Sequence, residues 1–107
     1  MRNPRRLIIA VLSASGMLLP GWAQAAGDAA SGLTLAQTWC TSCHIVAPGG
    51  TGRDNAPSFM AIAAKPNLSE PALRAWLSDP HPPMPNLNLS RQQIDDVVAY
   101  LASLKPR

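Results

Sequence analysis

Two thiols and an imidazole stand within five positions of one another in the run Trp39-Cys40-Thr41-Ser42-Cys43-His44, and the chain of 107 residues has no other cysteine. Each chemistry open to a C-x-x-C-H run asks for a different setting. A dithiol redox pair sits in a βαβ context, and this chain has no strand pattern to build one. Structural zinc needs a fourth ligand, for which His81 is the candidate, but zinc fingers separate their cysteine and histidine pairs by longer stretches. A disulfide across so small a loop stabilises little. Covalent haem attachment uses all three residues. Residues i and i+3 share one face of a helical turn, so both sulfurs can add to the vinyl groups along one haem edge. His44, at i+4 from Cys40, continues that face toward the iron.

An iron held from one side by His44 leaves its opposite position to be filled, and Met60, His81 and Met84 are the candidates. Met60, within the apolar run 59–64, has the setting of a packing residue. His81 and Met84 share the stretch 79–89, where four of eleven residues are proline. Prolines have few conformations to lose, so such a loop can hold a ligand in place at low entropic cost.

These residues must be placed by the rest of the chain. Residues 1–25 read as a cleaved export signal: Arg2, Arg5 and Arg6 precede an apolar run, and Ala23 and Ala25 have the spacing of a peptidase site. The run is shorter than the roughly 20 residues of a permanent membrane helix. The expected domain is 26–107. Three of the nine basic residues belong to the leader and none of the six acidic ones does, so the remaining side chains balance six against six. The excess of positive charge is a property of the leader, and no basic patch suggests a nucleic-acid partner. A domain of some 80 residues buries little apolar surface unaided and commonly needs a staple or cofactor.

Hydrophobic spacing predicts helices and no sheet. Ser90 and Gln93 form a capping-box pattern, followed by Ile94, Val97, Val98, Leu101 and Leu104 at helical intervals, which predicts a helix over 91–105. Asp28 can cap a helix to about Thr41 with Gly32, Leu35, Ala36 and Trp39 inward. Ser69 and Pro71 open a helix over 70–78, carrying Leu73, Trp76 and Leu77, and Asp79-Pro80 closes it. A short helical piece is expected at 58–64. The segments 46–57 and 79–89 read as loops.

In this order the features resemble a small bacterial class I cytochrome c. The matching residues are Gly32, the Cys40-to-His44 motif, Ala56-Pro57, Met84-Pro85 and the terminal segment 97–105 with Tyr100. A c′-type cytochrome would place its C-x-x-C-H near the C-terminus. The resemblance implies an all-α, cytochrome c-like fold of three to four helices wrapped around one covalently bound haem c. It implies Cys40 and Cys43 as haem attachments, His44 and Met84 as axial iron ligands, the Pro57 carbonyl as acceptor for the other nitrogen of His44, and Arg53 as partner of a haem propionate. Gly32 would let the first and last helices cross closely beside Tyr100. At Ala36 many relatives carry an aromatic residue, and Trp39 and Leu35 are expected to supply the missing bulk. Phe59, Trp76, Leu77, Leu87 and Leu101 would make the surround apolar.

With both axial positions filled by protein, such an iron exchanges single electrons and offers no substrate site. The expected function is a periplasmic one-electron carrier, a monomer and not an enzyme. Its partners would be a periplasmic dehydrogenase, reductase or oxidase, with neither nucleic acid nor a permanent membrane span. The alternatives are a dedicated cytochrome subunit of a dehydrogenase or reductase complex, and a haem sensor in which Met84 is labile.

Overall fold

A computed structural model describes residues 16, 27–79 and 81–107. Gly16 apart, the leader expected over 1–25 lies outside the described residues. Helix α1 spans Ala29–Trp39, α2 Phe59–Ala63, α3 Glu70–Ser78 and α4 Arg91–Ser103. Each begins on a side-chain oxygen that accepts a backbone N–H from its first turn: Asp28 from Ser31, Ser58 from Ala61, Ser69 from Ala72 and Ser90 from Gln93. These bonds satisfy donors that a helix start otherwise leaves unpaired. At α4 the bond is reciprocal, since the Gln93 side chain accepts the Ser90 N–H at 2.8 Å. Helix α3 stops where Asp79 turns extended (φ −110°, ψ 135°), ahead of Pro80.

One short feature departs from the all-helical expectation. Strands β1, Ile45–Ala47, and β2, Thr51–Gly52, pair antiparallel directly after the cysteine motif. Five residues are too few to show a period of two, so the sequence pattern does not reveal the ribbon. Its turn uses Gly49 and Gly50 at positive φ. The fold class remains all-α.

The core forms where α4 meets the other elements. Val97, Val98 and Leu101 are buried against Ala36 of α1, Val46 of β1, Phe59 of α2 and Leu73 of α3. The crossing of α1 on α4 depends on Gly32. A Cβ built there would fall 2.0 Å from the Asp96 carbonyl oxygen and 2.8 Å from Cβ of Tyr100. Ala36, one turn on, has no exposed surface, so its methyl group fills the crossing and no aromatic ring is needed. The expectation that Trp39 adds bulk there is corrected, since Trp39 is 57% exposed, whereas the half-buried Leu35 packs against the core.

Two adjacent carboxylates on the first turns of α4 tie in the other long helices. Asp96, 9% exposed, accepts the Asp28 backbone N–H at 2.8 Å and the Gln92 amide at 2.9 Å. Asp95 accepts from Nε of Arg74 on α3 at 2.9 Å, and Arg74 also meets Glu70 at 3.3 Å. By sequence these aspartates read only as complements to the helix dipole. Their tertiary partners lie 68 and 21 residues away. Tyr100 completes the frame, its buried hydroxyl donating to the Val46 carbonyl at 2.6 Å.

Candidate functional site

Helix α1 ends on the first thiol. Cys40 is its C-cap, and the Cys40 carbonyl accepts the N–H of Cys43 at 3.2 Å and of His44 at 2.9 Å. Cys40, Cys43 and His44 thus share one tight turn. Both thiols are free; Cys40 is buried in the core and Cys43 half-buried. Burial disfavours the thiolate and pushes the Cys40 pKa up to about 11.

The glycine-rich loop is laced onto this turn from outside. Arg53 donates its backbone N–H to the Thr41 carbonyl at 3.0 Å, and Ala56 donates to the Cys43 carbonyl at 2.9 Å. Gly52, at φ +114°, packs so closely that a Cβ would come within 1.9 Å of the His44 carbonyl oxygen. The Arg53 side chain is exposed at the edge of this loop.

The loop then delivers Pro57 to the histidine. Nδ1 of His44 lies 2.6 Å from the Pro57 carbonyl oxygen, and the Phe59 ring meets the imidazole edge-on at 5.4 Å and 66°. A carbonyl can only accept, so Nδ1 carries the proton and donates. Nε2 then keeps its lone pair, and rotation of the ring is restrained by Phe59 and Pro57 together. This is the arrangement by which an outer partner orients a metal-ligating histidine.

The structure therefore brings Cys40, Cys43, His44, Pro57 and the Arg53 backbone into one neighbourhood. Met84 stands on a separate element, the turn that follows α3. Its N–H donates to the His81 carbonyl at 2.9 Å, and the two residues pair as an antiparallel bridge. Among the described residues no hydrogen bond joins Met84 to the cysteine turn. The other two candidates for the second axial position are engaged elsewhere: Met60 packs against the core, and the His81 ring stacks on Trp76 with centroids 4.2 Å apart.

Of the residues expected to make the surround apolar, Phe59 and Leu101 are buried, Leu77 and Leu87 half-buried and Trp76 60% exposed. Residues that the sequence reading missed are Gly52 and Asp96, which position the His44 turn and the start of α1. The signal for Gly52 was present in the glycine cluster 49–52, but only the fold identifies which backbone it approaches.

The donor set fits a haem held by two thioethers and an imidazole: two unpaired thiols on one turn, with an adjacent ring whose Nε2 is free. A bare metal ion is less well served, because among the described residues no three His, Cys, Asp or Glu side chains gather around one point. Comparison with known proteins agrees. The family model described as Cytochrome c matches residues 29–105. The chain is 43% identical over 101 residues to cytochrome c-552 of Bradyrhizobium diazoefficiens, covering 94% of this chain and 91% of that protein. No solved structure gives a significant match.

Proposed function

The chain belongs to the cytochrome c family and binds haem c covalently, and from that premise we propose that it is a periplasmic one-electron carrier with His44 and Met84 as axial ligands. Electron carriage itself follows from the family and from the likeness to cytochrome c-552, and it implies redox partner proteins. When bound, the haem supplies one-electron exchange between ferric and ferrous iron. The rest is done by the protein's own groups. Cys40 and Cys43 tether the ring. His44 presents Nε2, and the hydrogen bond from its Nδ1 to Pro57 makes it a stronger and better-oriented donor. That 2.6 Å bond, on the same turn as the two thiols, is the observation that carries the reading.

Met84 would supply a soft thioether, which favours ferrous iron and raises the potential relative to a second histidine. The proline-flanked turn supports this role, since the Met84 N–H is already bonded to His81 and the side chain is half-buried. Phe59 and Leu101 keep the protein side of the site dry, which disfavours the extra positive charge of the ferric state. Arg53 is assigned to a haem propionate, its backbone being anchored beside the cysteine turn. Residues 1–25 act as a removed export signal and 26–107 as the haem domain. Among the described residues no helix is long and apolar enough to cross a membrane. The balanced side-chain charge of 26–107 predicts weak long-range steering toward partners.

Met84→Ala tests the ligand assignment. The ferric protein should lose the methionine-to-iron charge-transfer band and the potential should fall. An unchanged spectrum and potential would refute the assignment of Met84.

A further inference from the structure

Among the described residues Asp96 is the only buried charged side chain, 9% exposed. Its Oδ1 accepts both of its hydrogen bonds, from the Asp28 N–H at 2.8 Å and from the Gln92 amide at 2.9 Å. Among the described residues Oδ2 accepts none, and no lysine, arginine or histidine pairs with the group. Neighbouring Asp95, by contrast, has Arg74 at 2.9 Å. A carboxylate nine-tenths buried without a counter-charge is costly.

The start of the haem domain is held against this carboxylate. Gly27 packs on the α4 backbone so closely that a Cβ would fall 1.9 Å from the Asp95 carbonyl oxygen and 2.6 Å from the Asp96 nitrogen. With the Asp28 bond, this seats the two residues ahead of α1 on the turn that carries Asp96. Asp96 also lines a surface groove with Ala30 and Ser31 of the first turn of α1, so the space around it opens beside the start of that helix. Ala26 lies outside the described residues, but its backbone nitrogen is tied to that of Asp28 by two residues of chain, which span at most about 7 Å.

While the leader is attached, that nitrogen is a neutral amide. Hydrolysis of the Ala25–Ala26 bond adds one water and leaves a carboxylate on Ala25 and a protonated amine on Ala26. We propose that leader removal supplies the counter-charge of Asp96: the new α-ammonium of Ala26 pairs with its carboxylate and fastens the start of α1 to α4. This rests on the reading of residues 1–25 as a removed export signal. The charged groups at this corner are Asp28 ahead of α1, Arg91, Asp95 and Asp96 on α4, and Glu70 and Arg74 on α3. Arg74 is bonded to both Asp95 and Glu70, so Asp96 and the exposed Asp28 are the carboxylates without a cation. An opposite charge raises the pKa of an amine. The stabilisation is therefore complete below the ordinary value of about 7.7–8.0 and is lost as pH rises through the raised one.

The test uses the processed, haem-loaded protein. Mass spectrometry first identifies its N-terminal residue, expected to be Ala26. The terminal amine is then titrated by its rate of reaction with an amine-directed reagent as pH is varied. It should titrate about one unit above the ordinary range, a roughly tenfold tighter hold on the proton, and return to that range in urea. Asp96→Asn keeps an oxygen to accept the Asp28 N–H but carries no charge, and should bring the amine of the folded protein back to the ordinary range. Two glycines inserted between Ala26 and Gly27 let the amine move up to about 7 Å away and should do the same. If Asp96→Asn does not mature, the insertion carries the same test. A merely structural Asp96 would lower the denaturation midpoint in Asp96→Asn and leave the titration of the amine unchanged. An amine as raised in Asp96→Asn as in wild type, or in the insertion variant where only that one matures, overturns the proposal. A terminus other than Ala26 removes the reading of residues 1–25 and this inference together. A terminus at Ala26 whose amine titrates in the ordinary range removes this inference alone.

Discussion

Replacing Gly32 with alanine sets two opposing effects against each other, and the geometry of the helix crossing decides the sign. In a helix interior alanine is favoured over glycine by about 0.8–1 kcal/mol. Against this, the new Cβ would lie 2.0 Å from the Asp96 carbonyl oxygen, 2.6 Å from its carbon and 2.8 Å from Cβ of Tyr100. Two of these atoms are α4 backbone, so no change of rotamer relieves the overlap. Non-bonded carbon and oxygen sit about 3.3 Å apart or more, so the helices must separate locally by roughly 1 Å. A movement of that size stretches the 2.8 Å bond from Asp28 to Asp96 and loosens the packing around Ala36. Overpacking costs about 1–3 kcal/mol and the weakened hydrogen bond about 1 kcal/mol more. After the propensity gain, the net loss is about 1–3 kcal/mol. In a domain of this size that lowers the melting temperature by roughly 5–20 °C. Thermal unfolding of the haem-loaded protein, followed by helical circular dichroism, measures it. The axial-ligand spectrum should stay as in wild type, because the change does not touch Met84. A Gly32→Ala protein that melts at or above wild type would refute the close crossing.

Three further perturbations probe other joints of the frame. Gly52→Ala combines strain at φ +114° with a Cβ 1.9 Å from the His44 carbonyl; it should cost about 2 kcal/mol or more in chemical denaturation, and a wild-type midpoint would contradict that contact. Tyr100→Phe leaves the buried Val46 carbonyl without its donor and should destabilise by about 1–3 kcal/mol. Burial also raises the Tyr100 pKa above its ordinary 10.0, so its contribution is complete below that value and declines as pH rises through the raised one; midpoints measured from pH 8 upward should decline less steeply in Tyr100→Phe. The Asp28 carboxylate, stabilised mainly by the Ser31 N–H, titrates below its ordinary 3.8, so its contribution is present above that pH and lost as pH falls through the lowered value. An asparagine side chain caps a helix as well as an aspartate and does not titrate, so Asp28→Asn should match wild type at pH 7 and lose less stability on acidification, as read from unfolding curves between neutral and strongly acidic pH.

The site is assembled from pieces of very different sequence range. The cysteine turn is local: five residues, closed by two bonds to the Cys40 carbonyl. Its chemistry is readable from residue type and spacing alone. The hydrogen bond from His44 to Pro57 spans 13 residues and needs the glycine-rich loop to fold back. Resemblance to the family suggested that bond, whereas composition and periodicity carried no trace of it. The turn at Met84 is again local in its backbone but depends on α3 for its place. The proximal turn is thus closed by local backbone bonds and by one contact that only the fold supplies.

What the sequence determined alone was whatever is decided within one or two turns of chain. The starts of α1, α3 and α4 were legible because a Ser or Asp side chain reaches a backbone N–H only three residues on, and α3 came out with the boundaries its caps predicted. The haem-binding chemistry was legible for the same reason. Tertiary structure alone decided which flank of each helix stripe is covered. Trp39 has helical spacing suited to a core, yet it is largely exposed, because burial depends on where another helix crosses and not on the period itself. It also decided that Asp95 and Asp96 clamp α3 and α1. A carboxylate's choice between solvent and a partner 68 residues away is made only when packing brings that partner within hydrogen-bond reach.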